Sequence, residues 1–148
     1  MRVSYIEDTE KWISEFQFEV PLKVRFAEID MFGHLNNVEV FNYFEYGRME
    51  FLKALEIVPV KDWHKMENVV VVSDLQADYL QQVFYDDQLV LKLKIAHLGT
   101  TSMDIHYLAM NDEKKPVFVG RGRLVQMNRK TGRPVAWTDE QKERMDKI

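Results

Sequence analysis

The sequence contains no cysteine among its 148 residues. That absence removes disulfide frameworks, thiolate metal sites and cysteine nucleophiles together, and it suits a reducing compartment. Proline (4) and glycine (6) are sparse, which excludes low-complexity and collagen-like chains. No run approaches the roughly 18 apolar residues of a membrane-spanning helix. Arg2, Glu7, Asp8, Glu10 and Lys11 occupy the stretch where a secretory signal would be apolar. The chain is therefore expected in the cytoplasm, with no membrane partner. An excess of positive charge is also missing: 20 Lys and Arg stand against 24 Asp and Glu. Nucleic acid is not an expected partner, because phosphate binding needs clustered cations. What remains is a composition 46% apolar and 30% charged, that of a folded domain spanning residues 1–148.

Between Phe16 and Phe26 apolar residues alternate with polar ones, the period-two signature of a strand with one wet face. The stretch from Asn37 to Leu55 is free of proline and follows a turn at Gly33, which predicts the principal helix. A short segment around Lys61 to Glu67 reads as a turn or a few helical residues. Four further strands are expected at Val69 to about Gln82, Gln88 to Leu98, Thr101 to Met110 and Pro116 to Met127. Turn residues at Asp86-Asp87, Gly99 and Asn111-Asp112 suggest an antiparallel meander. Thr138 opens a short C-terminal helix with acidic residues in its first turn. The fold class is α+β, a helix packed on one antiparallel sheet.

Projected at 100° per residue, the long helix is apolar over most of its circumference, with Glu39, Asn42, Tyr46, Glu50 and Lys53 as a narrow polar stripe. It should be wrapped by the sheet. Glu45 and Arg48 fall inside the apolar arc, three residues apart, either as a buried structural pair or as part of a ligand site.

The residues that speak to function are concentrated in Val24 to Asn37, where a strand passes through a turn into the helix. A helix start presents unpaired N–H groups and the positive end of the dipole, which polarise a carbonyl and stabilise an oxyanion. Asp30, just ahead, can supply a carboxylate beside such a carbonyl. The same residues also admit a structural reading: Asp before Gly belongs to turns, Asn36 or Asn37 to N-caps, and His34 to a hydrogen-bonded turn.

The segment resembles the signature of the 4-hydroxybenzoyl-CoA thioesterase-like family of the hot-dog superfamily. It carries Arg25, Glu28 and Asp30 on R-x-x-E-x-D, then Gly33, His34, Asn36 and Asn37 on G-H-x-N-N, then Tyr43, Arg48, Phe51 and Leu52 on the helix. Weaker similarity continues through Val71 to Asp74, Tyr79, Tyr85 to Asp87 and Gly99. The resemblance implies a five- or six-stranded antiparallel sheet wrapped around one long central helix, with a short C-terminal helix. It also implies edge-to-edge homodimers or homotetramers with active sites at the interface. Asp30 would be the catalytic acid, base or nucleophile, and His34 would position the turn or substrate. Amides around Gly33, Asn36 and Asn37 would polarise the thioester carbonyl.

The expected reaction is hydrolysis of an acyl-CoA or acyl carrier protein thioester, with CoA entering only as part of the substrate and no other cofactor. A thioester is reactive enough to need only a carboxylate or a positioned water and an oxyanion site. His64, His97 and His106 lack ligand spacing, so no metal is expected. Lys92, Lys94, Arg121, Arg123, Arg129 and Lys130 are candidates for CoA phosphates, or simply a solvated face. Two other activities fit the same segment: a hot-dog hydroxyacyl thioester dehydratase, and an acyl-thioester binding module without turnover.

Overall fold

A computed structural model describes residues 2–148. In chain order it has helix α1 (Thr9–Ser14), strand β1 (Phe18–Lys23), helix α2 (Asn37–Ala54), strands β2 (Asn68–Tyr79), β3 (Gln88–Leu98), β4 (Ser102–Met110) and β5 (Pro116–Asn128), and helix α3 (Asp139–Asp146). The strands form one antiparallel sheet in the order β1-β3-β4-β5-β2. This is the hot-dog architecture, with five strands. The meander expectation holds for β3, β4 and β5. It fails at Asp86-Asp87, because β2 pairs with β5 at the far edge and not with β3.

Alternation along β4 sorts the two faces. Met103, Ile105, Tyr107 and Ala109 are fully buried under α2, and on β5 Phe118 and Leu124 join them. The face is crowded: a Cβ built on Gly120 would run into the Phe44 ring and lie 2.6 Å from the Gln76 carbonyl. The intervening residues Leu108 and Val119 point the other way, into a second cluster with Val3, Ile6, Trp12 and Phe16.

That second cluster comes from an element not foreseen in the sequence. α1 is only six residues long, capped by the Asp8 carboxylate, which accepts the Lys11 amide at 3.1 Å. Phe16 consequently belongs to the outer cluster, and the predicted strand from Phe16 to Phe26 shrinks at both ends. At its far end the Arg25 amide bonds the Glu28 carboxylate at 2.8 Å instead of extending the ladder, opening a 3-10 turn that leaves Phe26 77% exposed. The segment around Lys61 to Glu67 forms a 3-10 turn at Trp63–Lys65.

One expectation for α2 is corrected. Glu45 and Arg48 do not pair: Glu45 is exposed, whereas Arg48 is buried and donates to the Tyr107 hydroxyl at 3.2 Å. The sheet does wrap the helix, but the apolar arc is not covered throughout: Val38 is 59% and Met49 40% exposed on one flank. Among the described residues no helix is long and apolar enough to cross a membrane.

Candidate active site

The chain does not run from strand straight into helix. After the 3-10 turn, Ile29 and Leu35 pair as an antiparallel bridge, and the Asp30 amide donates to the His34 carbonyl at 2.9 Å. Residues 30–34 are thus the tip of a small hairpin. Gly33 occupies its left-handed position with φ +85, which a side chain adopts only at a cost. Two bonds tie the hairpin to its surroundings: Leu35 N–H to the Val83 carbonyl at 2.7 Å and Asn36 N–H to the Glu28 carbonyl at 2.8 Å.

Asp30 is half-buried, and its Oδ1 accepts the Phe32 amide at 2.8 Å, so the turn chemistry weighed from the sequence is present. Oδ2 has no protein donor among the described residues. Of the candidate asparagines, Asn36 is the N-cap: its Oδ1 accepts Val38 N–H at 3.2 Å and its carbonyl accepts Glu39 N–H at 2.9 Å. With those amides occupied, Asn37 N–H is left without a protein acceptor among the described residues. Its carbonyl accepts the Tyr79 hydroxyl at 2.8 Å, which fixes the helix start against the end of β2.

The frame is held from beneath by Glu28, only 5% exposed. Its carboxylate takes the Arg25 amide and the Tyr43 hydroxyl, each at 2.8 Å, and the Arg25 guanidinium at 3.4 Å. Burial pushes the Glu28 carboxyl up, but these donors outweigh it and hold it below its ordinary range. The opposite holds for Tyr43, whose hydroxyl is pushed up by burial and then by the Glu28 charge. The motif residues Arg25, Glu28 and Tyr43 therefore form one clamp, which locks the hairpin to α2.

Beside the hairpin opens a cavity of about 290 Å³, bounded by His34, Val40, Tyr79, Val83 and Phe118. His34 is half-buried at its mouth, with its ring 5.3 Å from that of Phe84 in an edge contact. Asp30 is absent from the lining, and Gly33 is exposed at the hairpin tip. Sequence reasoning missed Val83 and Phe118. No motif spacing marks them, and they reach the site only because β2 ends beside the start of α2.

The basic residues considered for phosphate are mostly engaged elsewhere. Lys92 pairs with Glu19, Lys94 with Glu15, and Arg121 and Arg123 share Asp104. Arg129 donates to the His64 carbonyl.

Comparison with known proteins matches residues 24–145 to the model of the thioesterase-like superfamily. The Bacillus subtilis protein YsmA is 39% identical over 134 residues, 90% of this chain and 88% of that one. The chloroplastic acyl-acyl carrier protein thioesterase ATL3 of Arabidopsis thaliana is 33% identical over 128 residues, 84% of this chain and 65% of the plant protein. Among solved structures, a thioesterase from Thermus thermophilus complexed with coenzyme A and zinc superposes with TM-score 0.75 at 27% identity, covering 88% of this chain and 98% of that one. The chain belongs to the thioesterase-like superfamily, and thioester hydrolysis is the chemistry that this membership supports.

Proposed function

We propose that this protein hydrolyses an acyl thioester of coenzyme A or of acyl carrier protein, with Asp30 as general base or nucleophile. The observation that carries the reading is the hairpin of residues 30–34. It carries a carboxylate with one free oxygen just ahead of the helix start, where the Asn37 amide is open, and it brings His34 to the mouth of the cavity. The thioester carbonyl would lie against the helix start, where an unpaired N–H and the dipole favour developing negative charge. Asp30 then either draws a proton from water or attacks to form a mixed anhydride that water cleaves. The Asn37 amide is the oxyanion donor, Gly33 and Asn36, whose own amides bond the Asp30 and Glu28 carbonyls, form the turn and cap that present it, and His34 positions the acyl group at the cavity mouth. No step calls for a metal or a resident cofactor.

The working unit in this reading is a pair of chains joined along β2. Its support is the contrast between the two sheet edges. β1 is six residues long and contains Pro21, whereas β2 runs twelve residues with Val71, Val72, Ser73 and Asp74 bare. Proline blunts an edge, and a long exposed one invites pairing. The cytoplasm is the proposed location.

Release of free thiol from acyl-CoA and acyl carrier protein substrates tests the assignment. The Asp30→Asn variant is expected to lose at least about a hundredfold in kcat/KM, the scale of a lost general base. His34→Ala is expected to lose clearly less, and equal losses would reverse the division of roles.

A further inference from the structure

The cavity beside His34 has a chemistry of its own. Its only titratable side chains are His34 and Tyr79, and the Tyr79 hydroxyl is already committed to the Asn37 carbonyl. Part of the backbone around it is satisfied as well: the Leu80 and Gln81 amides both bond the Val117 carbonyl, and the Val83 carbonyl takes the Leu35 amide. The exposed residues Gln81 and Gln82 stand at the rim, while the interior is Val40, Val83 and Phe118, each almost wholly buried. An interior built from these three apolar side chains accepts hydrocarbon and penalises a group that must stay solvated.

The floor cannot yield. The Phe118 ring stacks on Tyr43 at 6.3 Å and meets Phe44 edge-on at 5.9 Å. Tyr43 is itself pinned by Glu28, and Phe44 lies against Tyr107 at 4.3 Å. A chain that reaches Phe118 therefore meets a wall backed by three aromatic rings and the Glu28 clamp.

Resting on the thioester hydrolase reading, we propose that this cavity receives the acyl chain and that Val40 and Phe118, at its floor, set the longest acyl group cleaved. Apolar cavities of roughly 150 Å³ hold a six-carbon ring. By that scale 290 Å³ takes about twelve heavy atoms. The thioester carbonyl and sulfur occupy the mouth, which leaves a medium-length chain of about ten carbons.

The test is kcat/KM across straight-chain acyl thioesters from two to eighteen carbons, followed by thiol release and read as ratios within each protein. The wild type is expected to gain about fourfold per added methylene, the worth of burying one, up to about ten carbons, and to fall at least about tenfold by sixteen. Val40→Phe should move the maximum to shorter chains and Phe118→Val to longer ones. Val40→Leu, a smaller change, serves if Val40→Phe does not fold. Val58→Phe, in a separate apolar groove of about 510 Å³ lined also by Met49, Trp63 and Val69, should leave the profile where it was. Hydrolysis with a maximum that follows Val58→Phe, or ignores both Val40 and Phe118 substitutions, overturns the length limit and leaves the hydrolase reading standing. No turnover of any thioester by the folded wild type overturns both.

Discussion

Replacing Glu28 by glutamine keeps the shape of the clamp beneath the hairpin and removes its charge. The carboxylate accepts two short bonds, from the Arg25 amide and the Tyr43 hydroxyl, both at 2.8 Å. A bond to a charged acceptor is worth about 1.5–3 kcal/mol and a neutral one about 0.5–1.5 kcal/mol, so each loses about 1 kcal/mol. The guanidinium contact adds little because Arg25 is largely solvated. The expected loss is thus about 2 kcal/mol at pH 7. Its pH dependence has a definite sign. The folded protein holds the Glu28 carboxyl below its ordinary range. The stabilisation is therefore complete above the unfolded carboxyl pKa and is lost as pH falls through the lower, folded one. Urea unfolding of both proteins, followed by tryptophan fluorescence, should show a gap at pH 7 that begins to narrow as pH falls below about 4.3, the ordinary Glu value, and goes on narrowing below it. Because Glu28 also anchors Asn36 through its carbonyl, kcat/KM should drop about tenfold as the hairpin loosens. A gap under about 0.5 kcal/mol at pH 7, or one that persists unchanged at low pH, would refute the clamp.

Gly120→Ala drives a methyl against the buried Phe44 ring and the Gln76 carbonyl, and should cost at least about 2 kcal/mol in a denaturant titration. On the outer face Trp12 donates to His106 Nδ1 at 2.9 Å, which requires that nitrogen bare. Burial first, then Lys94 and Arg121, lower the His106 pKa to about 4. The unfolded chain then binds the proton first, and wild type should lose about 2 kcal/mol, after allowance for partial exposure, between pH 6.5 and 4. His106→Gln should lack that component, and parallel pH profiles would exclude it. Val72→Lys places a charge on the bare edge of β2 and should convert a dimer to monomer by sedimentation; an unchanged assembly would move the interface elsewhere. Incubation with a chelator should leave thiol release unaffected, and its loss would establish a metal in the reaction.

The sequence by itself determined the periodic parts of this protein. Strand alternation, the proline-free helix and the Thr138 cap are local effects, written in neighbouring residues and preserved in the fold. The run from Asp30 to Asn37 was legible for the same reason, because a turn and an N-cap need particular residues at fixed spacing. α1 was hidden because six residues carry too little periodicity, and its stability comes from Trp12 and Phe16 packing on the sheet. Glu45 and Arg48 look alike on a helical projection, and only the position of Tyr107 on β4 decides that one is buried and the other wet. The crossing of β2 to the far edge, which leaves its other side bare, is a choice of pairing partner that no local pattern encodes. The same crossing brings Tyr79, Val83 and Phe118 to the start of α2, so the cavity exists only in the tertiary structure.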